Sequence, residues 1–227
     1  MRNGPIAVGV FILGLGVQAA EARPLRYQAW WGGFHAADMV LDLGEPDSSL
    51  SIVTRGLLGR LMPSRIEALA KRGAEALSWR YRSNGGGEER RVAVVYPAGR
   101  AAKVVEDLPG PPAEALPIAL RSGVVDPLNA LNLMRRDVAG GRQSFVLPIY
   151  DGRRRLDIQA RVLGEGRRNK RPTIELHLEA DTHAGFNRRQ RALWDGGAAR
   201  VSLDAATLLP LRIEVAALVL TLTTRLE

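Results

Sequence analysis

The sequence predicts a mainly β fold: one curved antiparallel sheet or half-open barrel of about ten strands with one principal helix, following an N-terminal signal peptide. Three observations carry this. Apolar and polar residues alternate with a period of two from Leu25 almost to the C-terminus, glycine-bearing turn signals separate the alternating runs, and a single stretch carries helix-start chemistry.

The first element is the leader. Met1-Arg2-Asn3 opens the chain, no charge follows from Gly4 to Ala20, and Ile6 to Leu15 is strongly apolar. Ala20-Glu21-Ala22 then supplies a small-x-small cleavage pattern before Arg23-Pro24. The apolar part is only about ten residues long and a spanning helix needs about 20, so residues 1–22 read as a cleavable signal peptide. The expected location is the periplasm or cell envelope. Residues 23–227 then form a single β-rich domain large enough to bury a core without disulfides. The chain has no cysteine, which excludes thiol catalysis, disulfide exchange and cysteine-held zinc, and leaves no lipid-modified N-terminus to expect.

Leu25, Tyr27, Ala29 and Trp31 share one strand face, Gly32-Gly33 can turn the chain, and Ala37, Met39, Leu41 and Leu43 continue the pattern as the second strand of a hairpin. Alternation returns at Leu50, Ile52, Thr54, at Ile66, Ala68, Ala70 and at Leu77, Trp79, Tyr81. A turn at Asn84 to Gly87 leads into a return strand, Val92 to Tyr96. From Asp107 to Pro117 the density of proline argues for a loop, because proline removes donors and fixes φ. The helix follows. Asp126 is placed as N-cap, Pro127 stands at the first helical position, and Leu128, Leu131 and Met134 share a face. Strands resume with Phe145, Leu147, Ile149, a turn at Asp151-Gly152, and Leu156 to Val162. Gly164 to Lys170 reads as a basic turn before Ile174, Leu176, Leu178 and Ala180. Val201 and Leu203, then Leu211, Ile213 and Val215, then Leu218, Leu220 and Leu222 complete the set.

Four of these stretches together resemble a family of exported bacterial proteins, DUF3108. They are Tyr27-Gln-Ala-Trp-Trp-Gly-Gly-Phe-His-Ala-Ala, Val125-Asp-Pro-Leu-Asn-Ala-Leu131, Tyr150-Asp-Gly-Arg-Arg154, and Asp204 through Leu209-Pro-Leu-Arg-Ile-Glu214. The resemblance implies an exported, mostly antiparallel β fold and no established reaction. The final strand pair, an Asp-x5-Pro-Leu turn between strands, also resembles, at the level of fold, the half-barrel carriers that move lipoproteins across the periplasm.

No motif points to an enzyme, a metal or a cofactor. There is no Gly-x-Ser-x-Gly nucleophile elbow and no phosphate-binding glycine loop ending in Lys-Ser/Thr. The three histidines are His35, His177 and His183; His177 shares the polar face of its strand with Glu175 and Glu179, a solvated-face pattern rather than a metal shell. Asp126, Asp151 and Asp204 are accounted for as a helix cap and two turn residues, and Asp157 completes the set of carboxylates considered for glycoside chemistry.

The net charge of +8 and the clusters Arg153-Arg154-Arg155, Arg167-Arg168 with Lys170-Arg171, and Arg188-Arg189 with Arg191 suit anionic lipid head groups. Nucleic acid is not an expected partner of an exported chain. Tyr27, Trp31, Trp79 and Tyr81 lie in phase with apolar strand faces and are the candidate ligand-binding residues, with Trp30 directed away from Trp31 and Trp194 placed in no strand. The leading expectation is a non-enzymatic envelope protein holding an apolar or amphiphilic, lipid-like ligand in a concave β surface. The alternatives are an envelope scaffold with a filled core that binds another protein, and a hydrolase whose site is assembled from residues far apart in sequence.

Overall fold

The computed structural model describes residues 24–44, 46–85, 88–108, 116–188, 191, 197–216 and 221–226. The leader therefore lies outside the described residues, as do Trp194, Leu218, Leu220 and most of the proline-rich segment.

The first half of the chain is a meander of seven antiparallel strands: β1 (Leu25–Trp31), β2 (Phe34–Asp42), β3 (Asp47–Thr54), β4 (Ser64–Arg72), β5 (Ala76–Gly85), β6 (Glu88–Pro97) and β7 (Lys103–Leu108). Two short helices interrupt or follow it, α1 (Gly56–Leu61) and α2 (Ile118–Arg121), and the principal helix α3 (Pro127–Ala139) comes next. A second meander completes the chain: β8 (Ser144–Tyr150), β9 (Arg155–Arg168), β10 (Arg171–Ala184), β11 (Ala198–Asp204), β12 (Pro210–Ala216) and β13 (Thr221–Leu226). Antiparallel pairing of β1 with β13 joins the meanders into one sheet of thirteen strands, where about ten were expected, in the order β7 to β1, then β13 to β8. Among the described pairings none connects the outer strands β7 and β8, so the barrel-like sheet stays open.

Local chemistry accounts for the turns. Gly32 and Gly33 take positive φ values of 55° and 86° between β1 and β2. The basic turn expected over Gly164 to Lys170 is narrower than its composition suggested: β9 runs to Arg168 and β10 starts at Arg171, leaving Asn169 and Lys170, both at positive φ, as a two-residue connection. Likewise β7 continues through Asp107 and Leu108, which pair with Val92 and Arg91, so the proline-rich loop begins later than Asp107.

Helix α3 starts as its sequence dictates. The Asp126 carboxylate accepts hydrogen bonds from the backbone N–H groups of Leu128 and Asn129, both at 2.9 Å, and from the Asn129 side chain at 2.6 Å. Its cap is fully buried. The helix packs against β8, β3 and β4 and bridges two apolar clusters. One cluster gathers Tyr27, Leu41, Trp79, Val92, Val94 and Tyr96 around Leu128; the other gathers Phe145, Leu147, Leu176, Val201 and Leu203 around Ala130, Met134 and Val138. Leu131 touches both. A polar strut runs beside it, from the Asn132 amide to the Ser48 hydroxyl at 3.0 Å and from that hydroxyl to the Gly44 carbonyl at 3.1 Å.

The outer strand β8 is protected in two ways. It contains Pro148, which sheet edges accommodate, and Val125 forms a parallel bridge to Ile149, donating to the Pro148 carbonyl and accepting from the Tyr150 N–H.

Candidate functional site

Inward-facing residues of β3 to β6 stack in cross-strand rows. One row is Ile52, Ile66, Ser83 and Arg90; the next is Leu50, Ala68, Tyr81 and Val92; deeper, Ala70, Trp79 and Val94 follow. Across from these rows stand Pro127 and Leu128 of α3, Ile149 of β8, and Leu156 and Ile158 of β9. Between the two walls lies a cavity of about 370 Å³, within the range of small-molecule sites. Its lining is predominantly aliphatic and aromatic. Larger hollows of about 530 and 810 Å³ exist, but the first lies among the Arg72–Leu77 and Pro97–Arg100 turns and the second beside Thr54, Ser64, Arg65, Glu67 and Arg82, without an apolar wall of this kind.

Polar groups gather at one end of the cavity. Arg90 comes from β6, and Asp151 and Arg154 come from the turn between β8 and β9, with Phe186 beside them. The Asp151 carboxylate is engaged by the backbone N–H groups of Arg153 and Arg154 and by the Arg154 guanidinium at 2.9 Å. Asp107 is held by both ends of the Arg153 fork, at 2.7 and 2.6 Å. Arg90 lies over the Tyr81 ring, 6.0 Å from its centroid, and its Nε is buried without a hydrogen-bond partner. Burial lowers its pKa, and the nearby Arg153 charge acts in the same direction.

The four aromatic candidates separate. Trp79 and Tyr81 line the cavity, stacked with ring centroids 5.7 Å apart. The buried Trp79 indole N–H has no hydrogen-bond partner, so packing alone holds that ring. Tyr27 lies in the core, away from the cavity wall, and its hydroxyl donates to the Pro210 carbonyl at 2.6 Å. Trp31 keeps the phase of its strand but is the last residue of β1, beside the Gly32-Gly33 turn, 43% exposed and outside the cavity lining. The shared phase of Trp31 and Trp79 therefore does not bring them to one cavity.

Arg90 was not among the residues singled out by sequence. Its signal was available: it stands two residues before Val92 in the same inward phase as Val94 and Tyr96, a charge in line with three buried apolar residues. The basic clusters, by contrast, are partly neutralised locally, Arg153 by Asp107, Arg154 by Asp151 and Arg155 by Asp157. His35 pairs with Asp38, His177 with Glu179 and His183 with Asp157; no group of three or more metal-ligating side chains occurs among the described residues. Among the described residues, no helix is long and apolar enough to cross a membrane.

An open antiparallel sheet curled around one helix defines the class as β-barrel-like. Residues 26–179 match the family described as "Protein of unknown function (DUF3108)", and the chain belongs to that family. The match runs from β1 into β10, while β11 to β13 lie beyond it. In fold, the chain is similar to the crystal structure of a beta-barrel-like protein of the domain of unknown function DUF1849 from Brucella abortus. That similarity has a TM-score of 0.60 at 10% identity and covers 90% of this chain and 96% of the other. No curated protein matches the sequence.

Proposed function

We propose that this protein is a non-enzymatic binding protein of the bacterial cell envelope that holds an apolar or amphiphilic, lipid-like molecule in the hollow of its sheet. The observation that carries the reading is the cavity of about 370 Å³ between β3 to β6 and the α3, β8, β9 wall, lined by Leu50, Ile52, Ile66, Trp79, Tyr81 and Leu156 among others. A scaffold that works only through its outer surface needs no such hollow. The envelope location rests on the basic start, short apolar run and Ala20-Glu21-Ala22 of the leader.

Three measurements test the reading. Native mass spectrometry of protein extracted from its own cell envelope is expected to show a co-purifying lipid-class mass. Titration with a single-chain amphiphile is expected to change tryptophan fluorescence saturably, and Trp79→Ala is expected to weaken uptake while costing about 3–5 kcal/mol of stability. Calorimetry that detects no saturable uptake of any amphiphile would leave the surface-acting scaffold in front.

A further inference from the structure

Among the described side chains named in the interior rows of β3 to β6, Ser48 and Ser83 are the neutral polar residues and Arg90 carries the charge. Arg90 occupies a position that Val92 and Val94 continue, so its stem lies against the apolar wall and its guanidinium sits at the end of the cavity. Placing a cation there is costly unless something balances it. Two carboxylates whose charge reaches it are committed elsewhere: Asp107 meets Arg153 through two hydrogen bonds, and Asp151 meets Arg154 and two backbone N–H groups. Among the described residues, the guanidinium groups of Arg90, Arg153 and Arg154 thus share the two carboxylates Asp107 and Asp151, and no ion pair includes Arg90. The Tyr81 ring beneath it supplies only the weak attraction of a π face.

We propose that Arg90 is the anchor for an anionic head group, a carboxylate or phosphate, of a single-chain amphiphile whose tail fills the cavity along Trp79 and Tyr81. This rests on the lipid-binding reading above and narrows it to one ligand class with a defined orientation. The guanidinium fork suits either anion, since both present oxygen pairs that it can meet bidentately. A cavity of about 370 Å³ lies near the lower end of small-molecule sites, which favours one chain over two.

The test is a set of calorimetric titrations of the unmodified protein with dodecanoate, dodecyl phosphate, dodecanol and dodecyltrimethylammonium. At least one of the two anions is expected to bind about ten- to a hundredfold more tightly than dodecanol, the worth of a charge-assisted hydrogen bond, and the ranking of the two anions identifies the head group. The cation is expected to bind more weakly than dodecanol. The preference for the anion should shrink as salt rises, while dodecanol binding should not weaken. In Arg90→Gln the preference is expected to vanish with dodecanol binding retained, and Arg90→Lys should keep part of it. If all four amphiphiles bind the unmodified protein equally, the anchor is refuted and the cavity reading stands. If none binds, both readings fall. These comparisons on the unmodified chain decide the matter even if the glutamine variant does not fold.

Discussion

The Tyr96 hydroxyl donates a 2.6 Å hydrogen bond to the Tyr150 carbonyl, linking β6 to the end of β8 across the gap where the sheet has no ladder. The Tyr150 hydroxyl, in turn, donates to the Gly152 carbonyl at 2.7 Å. Gly152, at φ +97°, lies so close to β6 that an added Cβ would meet Val92 at 2.6 Å and Val94 at 2.9 Å. The open seam is therefore held by side chains and a close-packed turn in place of backbone pairing.

Tyr96→Phe keeps the ring but removes the donor and leaves the Tyr150 carbonyl without that partner. The expected loss is about 0.5–1.5 kcal/mol, or more if water cannot reach the carbonyl. Urea denaturation of the variant beside the parent measures it, and an unchanged midpoint would show that the seam does not depend on this bond.

Asp107 and Arg153 form the second tie across the seam, from β7 to the β8–β9 turn. The carboxylate is buried but the guanidinium is about a third exposed, so solvent screens part of the interaction. Removing either partner is expected to cost about 1–3 kcal/mol. A double-mutant cycle with Asp107→Asn and Arg153→Gln should return a coupling of the same sign, and purely additive effects would show that the pair is incidental.

Asp126→Ala should lose about 0.5–2 kcal/mol by leaving two backbone donors of the first turn of α3 without their acceptor. Asp126→Asn should recover part of this. Its carbonyl can still accept from the backbone, and it avoids burial of a charge, the cause that raises the pKa of the native carboxyl. Equal destabilisation by the two substitutions would argue against the cap as the source of the effect.

Tyr27, Tyr96 and Tyr150 all hold their phenol protons more tightly in the folded chain, chiefly because burial disfavours the phenolate. With folded-state values raised above the unfolded value, the stability they contribute is fully present below about pH 10 and is lost as pH rises from there through the folded values. Denaturation midpoints should fall steeply above about pH 10. The slope should be shallower in Tyr96→Phe, and an unchanged slope in that variant would remove Tyr96 from the explanation.

Much of this architecture was legible because period-two burial leaves a direct mark on sequence. Asp126-Pro127 specified the start of α3 locally, and Trp79 with Tyr81 marked the cavity wall through their phase. Strand β7 left a poor mark. Val105 faces outward and is exposed, Asp107 is buried, and a bulge between Ala93 and Val94 shifts its register, so its apolar pattern is broken on both faces. Helix α1 has six residues, too few for a helical period to register, and leaves Leu57 and Leu61 exposed. Arg90 and Asp107 illustrate a deeper limit. Whether a charge on a strand is buried depends on what approaches from the other meander, and no local pattern records that approach.

The pairing of Tyr27 with Leu226 has a kinetic meaning. The middle of the sheet is assembled from the two strands farthest apart in sequence, while its outer borders come from the middle of the chain. Each meander can form by short-range closure, but their union awaits an encounter that carries a large loop entropy. A chain shortened before Thr221 would therefore lose the joint of the sheet, leaving β1 and β12 bare and two apolar half-shells capable of pairing with other molecules.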